Sequence, residues 1–225
     1  MSERITFIYL MHELLHFFTH LEKGFLFTSV MMVKRPGKTV VDFIGGKRKI
    51  YQPPVSYFLI WIAIYGLLLY WIQHIFGESV VINYKQYFGP KPITQYAITH
   101  LAVVLTIVIP FQALYMHLLI TKKNYYYLEA AIIAIYCLGT IIFFQFIFAI
   151  ISLCLYAINK QPFNIAISDS FKIAYLIWFT IDFIRIFPTR DKKILKGVLF
   201  IILSFGTFTI WRLYGYPYVY RLIVH

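Results

Sequence analysis

His12, Glu13 and His16 form the pattern H-E-L-L-H within "MHELLHFFTHLEKGFLFT", residues 11–28. On a helix the two histidines lie one turn apart, so both imidazoles can reach one zinc ion, with Glu13 as the general base that activates a bound water. A catalytic zinc needs a third protein ligand. His20 is poorly placed, about 12 Å from His12 along a helix axis. His117, Glu129 or Asp182 would have to come from elsewhere in the chain. The same spacing has a plainer reading. His12, His16, Thr19, His20 and Lys23 line one side of a helix as a wet polar stripe, which binds no metal and can touch headgroups or respond to pH. The stripe implies no cofactor; the motif implies zinc.

A second constellation lies deep in an apolar stretch. Asp182 and Arg185 are three residues apart and can share a helix face. Charges at membrane depth face a bundle interior or a watery cavity, or snorkel when close to a helix end. Asp182 is expected to lock helices together, with Gln145, Thr140 or His100 as partner, or to bind an ion or relay a proton. The stretch "KRPGKTVVDFIGGKRK" contains G-K-T but has Met32 where a phosphate-binding loop needs its first glycine, so that motif is discarded. Its Lys34, Arg35, Lys38, Lys47, Arg48 and Lys49 read instead as a patch for anionic headgroups.

These residues must be positioned by helices in lipid. The chain has 225 residues, 60% hydrophobic, 20% aromatic and 13% charged. A soluble domain is nearer 45–50% apolar and about 25% charged, and could not hide this much apolar surface. The net charge of +12 would suggest nucleic acid in a soluble protein. Here the basic residues flank apolar spans, so lipids with anionic headgroups are the expected partner, and nucleic acid is not. Cys137 and Cys154, seventeen positions apart, would be about 25 Å apart on one helix and cannot bridge. The segment "MSERITF" does not read as a signal peptide.

Five stretches are expected to span a bilayer: 57–76, 96–120, 129–158, 171–187 and 197–214. Lys and Arg before the first span, after the second and after the fourth place those regions on one side. The N-terminus is then cytoplasmic and the C-terminus outside. Lys172 is counted with the opposite loops and Arg212 with the tail. Residues 1–56 form a separate unit of cytoplasmic, amphipathic interfacial helices. Phe7, Leu10, Met11, Leu14, Phe17, Phe18, Leu21 and Phe25 share the apolar face of the first helix, and "RPG" stops it. A second helix is expected over 39–49, before "QPP" breaks the chain. The fold class is therefore all-α, a polytopic helical bundle of about five spans over 57–225.

The stretches "HELLHFFTHLEKGFLFT" and "RPGKTVVDFIGGKRKIYQPPVSYFLI" resemble a bacterial membrane-protein family known only as a domain of unknown function, number 3667 in its series. The likeness covers residues 4 to about 62. Many members carry an N-terminal four-cysteine zinc ribbon that this chain lacks. The resemblance implies a polytopic inner-membrane protein, assigns His12, Glu13, His16, His20, Lys23, Arg35, Pro36, Gly37, Lys47, Arg48 and Tyr51 to the family pattern, and supplies no reaction. Together the residues favour a non-enzymatic inner-membrane scaffold or headgroup-binding protein, with a membrane-protein partner or a second copy as further partners. A zinc-dependent membrane hydrolase and a small transporter or channel with Asp182 in its path are the alternatives.

Overall fold

A computed structural model describes residues 24–76, 100–121, 124–159, 165–186 and 193–224. All regular structure among them is helical. Helix α1 is described over Gly24–Lys34. It is followed by α2 (Pro36–Ile44), α3 (Pro54–Phe76) and α4 (Leu101–Tyr115), which widens into a π-helical turn at Met116–Thr121. Then come α5 (Tyr127–Asn159), α6 (Ile165–Ile186), α7 (Lys193–Ile210), a second π-helical turn at Trp211–Gly215, and α8 (Tyr216–Val224).

Three helical stretches are long and apolar enough to cross a bilayer: Pro54–Ile72, Tyr127–Ile158 and Ile194–Arg221. The second expected span corresponds to a shorter apolar helix over Leu105–Thr121. The fourth corresponds to α6, whose 22 residues include Asp169, Lys172, Asp182 and Arg185. The helix expected at 39–49 starts earlier and ends sooner. Pro36 opens it, since the first turn needs no N–H there. Gly45 and Gly46 close it, Gly46 at φ 104°, a conformation other residues rarely adopt.

Aromatic contacts set the helix directions. Tyr57 of α3 meets Tyr136 of α5, and farther along both helices Trp61 meets Phe143 and Phe146, so α3 and α5 run the same way. Helix α6 runs against them: Phe148 meets Phe171, and Phe144 meets Tyr175. Helix α7 reverses again, with Gly197 against Thr180 and Ile184 and Arg212 against Asp169. The closest approach of α3 and α5 depends on Gly139, where an added Cβ would lie 2.8 Å from the Tyr57 ring. Beside it the Tyr57 hydroxyl and Thr140 Oγ1 share a hydrogen bond of 3.1 Å, while Thr140 donates to the Tyr136 carbonyl. Polar groups in a lipid-facing fold need such internal partners. Phe25, Met32, Val40 and Phe43 from α1 and α2 belong to the same buried core as these helices.

Candidate functional site at the basic end of the bundle

The site begins with the sequence "RPG". Pro36 has no N–H, so it cannot satisfy the Met32 carbonyl one turn back. The Tyr175 hydroxyl of α6 donates to that carbonyl instead, at 3.3 Å. The Gly37 N–H does not serve the Val33 carbonyl. It donates to Oδ2 of Asp182 at 2.8 Å, and Trp178 Nε1 donates to Val33 at 3.0 Å. Arg35, the residue before α2, makes no side-chain cap. Asp182 therefore does the work of a capping residue from 145 positions away. Tyr175, Trp178 and Asp182 lie at i, i+3 and i+7, one face of α6, and clasp the α1–α2 junction.

One turn earlier on the same buried side, α1 is held by the loop before α3 and by α3 itself. The Gln52 N–H donates to Thr28 Oγ1 at 2.8 Å, and the Tyr136 hydroxyl donates to the Gln52 carbonyl. Trp61 Nε1 donates to Ser29 Oγ at 3.2 Å. These buried groups fix the orientation of α1 on α3 and α5.

The junction so positioned carries a crown of charge. Lys34, Arg35, Lys38, Lys47, Arg48 and Lys49 are all exposed. Arg185 at the end of α6 and Lys196 at the start of α7 are exposed at the same end of the bundle. Asp42 is the carboxylate of α2 among them. It pairs with Lys47 at 2.9 Å and accepts a hydrogen bond from Tyr51 at 3.4 Å. Donation from Lys47 to the Asp42 carboxylate, then the charge of that carboxylate, raise the Lys47 pKa, so the ammonium stays charged throughout the physiological range. Burial, then the same carboxylate, pushes the Tyr51 hydroxyl up, so it remains a donor. The Arg48 guanidinium sits 6.0 Å from the Phe43 ring centroid. Among the described residues, Lys34, Arg35, Lys38 and Lys49 have no carboxylate at ion-pair distance.

The structure brings Asp182 to Gly37 rather than to the partners expected for it. Gln145 accepts from Ser168 Oγ at 2.9 Å, and its Nε2 is buried with no hydrogen-bond partner among the described residues. Thr140 serves Tyr57. Arg185 makes no ion pair with Asp182 among the described residues. His12, Glu13, His16 and His20 lie outside the described residues. His117, in the first π-helical turn, faces the Tyr127 ring edge-on at 6.3 Å. No group of three or more His, Cys, Asp or Glu that could hold a metal occurs among the described residues.

Sequence reasoning missed a cluster at the other end of the bundle. Lys172 pairs with Asp169 at 2.8 Å, and Arg212 Nη1 lies 3.4 Å from the same carboxylate. Lys172 also lies 5.1 Å from the Phe208 ring centroid. Neither Lys172 nor Arg212 is a loop or tail residue as expected: α6 starts at Ile165, and helix continues from α7 through the π-helical turn into α8. The i, i+3 spacing of Asp169 and Lys172 in "SDSFK" was the available signal.

The family described as "Protein of unknown function (DUF3667)" matches residues 22–66. The match bears out the resemblance over that segment, which holds the α1–α2 junction, the six basic residues of the patch, and the first half of α3. No curated protein and no solved structure matches the chain.

Proposed function

We propose that this is a multi-pass membrane protein of the bacterial inner membrane that crosses the bilayer five times and uses its basic end to hold anionic lipid headgroups on the cytoplasmic side, without catalysis. The observation that carries the proposal is the unequal handling of charge at the two ends. At one end eight Lys and Arg side chains, 34, 35, 38, 47, 48, 49, 185 and 196, are exposed. At the other, Lys172 and Arg212 are drawn onto Asp169, and Arg221 alone among the described Lys and Arg of that end is exposed. Exposed basic residues collect on the cytoplasmic face and meet an anionic leaflet. The alternating directions of α3, α5, α6 and α7 support five passes, because α4 must return the chain between the parallel α3 and α5. The zinc motif adds no support, since it lies outside the described residues.

Lys47 is already engaged by Asp42, whereas Lys34, Arg35 and Lys38, grouped at the α1–α2 junction, have no carboxylate at ion-pair distance among the described residues. Replacing these three by Gln removes up to about 1 kcal/mol each near an anionic surface. The selectivity of the purified protein for spin-labelled phosphatidylglycerol over phosphatidylcholine should then fall on the order of tenfold or more, and high salt should mimic the change. A triple variant that keeps full phosphatidylglycerol selectivity would sink the proposal.

Asp182 separates this proposal from a transporter. Asn keeps an acceptor oxygen for the Gly37 N–H, so Asp182→Asn is expected to cost under about 1 kcal/mol, whereas Asp182→Ala loses the cap, at about 1–2 kcal/mol. Thermal unfolding in detergent measures both. Asp182→Asn melting as low as Asp182→Ala would mean that the carboxylate charge matters beyond capping.

A further inference from the structure

Helix α1 has two apolar faces. Phe25, Thr28, Ser29 and Met32 are buried against the bundle. On the outer side Leu26, Phe27 and Val30 are 59%, 41% and 49% exposed. The two hydroxyls on the inner face donate back to their own helix, Thr28 to Gly24 at 2.7 Å and Ser29 to Phe25 at 3.0 Å, which leaves no unpaired hydroxyl hydrogen there. A helix lying on a water-facing surface would show polar residues outward. From Gly24 to Val33 this one does not, in contrast to the polar stripe expected upstream.

The position of α1 along the bundle gives the second observation. Its last turn is anchored by Tyr175 and Trp178. Those residues lie eleven and eight positions before Ile186, the end of α6. At 1.5 Å per residue the anchors are about 16 and 12 Å from that end. Helix α1 therefore lies alongside the bundle, not on top of it. The third observation is charge. The outward face that begins with Leu26, Phe27 and Val30 continues to exposed Lys34, and Arg35 and Lys38 follow. Long basic side chains beside an apolar face can reach headgroups while their stems remain in hydrocarbon.

We propose that α1 is a wedge inserted into only one leaflet, its outer face of Leu26, Phe27 and Val30 in the acyl chains and its terminal Lys34, with Arg35 and Lys38, reaching the phosphates of anionic lipids. The occupant of this face is lipid, because an apolar face bordered by exposed cations matches the boundary between acyl chains and anionic headgroups. The wedge rests on the proposed headgroup-facing role of the basic end. Its depth is fixed by the Pro36–Gly37 junction, since Tyr175, Trp178 and Asp182 hold the chain on both sides of the break.

The test uses the full chain in phosphatidylglycerol–phosphatidylcholine vesicles. Cys154 is exposed and Cys137 buried, so Cys154→Ser provides a background in which one added cysteine takes the label. Spin labels at Phe27→Cys and Val30→Cys are compared with Leu59→Cys, on the outer face of α3, and Lys49→Cys, in the exposed loop. Labels at 27 and 30 should collide with oxygen and resist a water-soluble nickel chelate, as at 59, while 49 behaves oppositely. Nickel access at 27 and 30 like that at 49 overturns the wedge. Shielding from both probes also overturns it, showing that protein covers the face: a partner, a second copy or another segment of this chain. The headgroup proposal fails separately, when neutralising Lys34, Arg35 and Lys38 leaves phosphatidylglycerol selectivity unchanged, and that result says nothing about label depth.

Discussion

Gly37→Ala should undock α1 and α2 from the bundle. A Cβ at this position would stand 2.7 Å from the Phe183 Cα, 2.8 Å from the Phe183 nitrogen and 2.9 Å from the Asp182 carbonyl carbon. All three are backbone atoms of α6, which cannot rotate aside as a side chain can. The helices must separate by most of an ångström, and overpacking of this kind costs about 1–3 kcal/mol. Separation also stretches the Gly37 N–H···Asp182 bond, a helix cap worth about 1–2 kcal/mol. The two losses together approach about 4 kcal/mol, a large share of the stability of a typical domain. Gly37→Val should abolish the folded peak in size-exclusion chromatography. Gly206→Ala is the control, since nothing lies within 4 Å of its added Cβ. It should be neutral or slightly stabilising in a helix interior. Equal melting of Gly37→Ala and the parent protein would show that α2 does not need this approach to α6.

That sensitivity shows which parts of the structure could be read from the sequence. Hydropathy is a local property, so the first and third spans, expected at 57–76 and 129–158, match α3 (Pro54–Phe76) and α5 (Tyr127–Asn159) closely. The break at "RPG" is local as well, because one proline removes one donor. What replaces that donor is not local. The face formed by Tyr175, Trp178 and Asp182 looks like a mixed aromatic stripe with one awkward charge until α6 is placed beside α1. Asp182 was legible as a helix lock, but its partner was sought among side chains. The partner is a backbone N–H, which every residue except proline carries and no composition reveals. Fully helical readings also fail at helix ends. Lys172 and Arg212 fall just inside the edges of the expected spans 171–187 and 197–214, where a charge reads as a flanking loop or tail residue, whereas the helices run on past both. The outer face of α1 turned out apolar because the polar stripe of His12, His16, Thr19, His20 and Lys23 would continue at positions 27 and 30, which are Phe and Val.

Asp169→Asn should be the most damaging single change at the opposite end. In the folded chain one carboxylate faces Lys172 at 2.8 Å and Arg212 at 3.4 Å. The side chains are only 21%, 7% and 18% exposed for Asp169, Lys172 and Arg212, so water screens little of the interaction. Asn retains the size and one acceptor oxygen but removes the charge that offsets two cations. Breaking a buried ion pair by deleting one partner costs about 3–5 kcal/mol, because the remaining charge stays desolvated. The Arg212 pair is the longer of the two, at 3.4 Å, which puts the expected loss near the lower figure, about 3 kcal/mol. Lys172 cannot escape easily: its ammonium lies against the Phe208 ring, and its side chain is nearly closed off. The decisive comparison is therefore the double variant Asp169→Asn with Lys172→Met, which removes both charges and keeps the apolar stem. If the loss comes from stranded charge, the double variant should melt higher than Asp169→Asn alone in detergent. Additive losses would mean instead that Asp169 acts through shape, and that the two ends of the bundle do not differ in how they neutralise their cations.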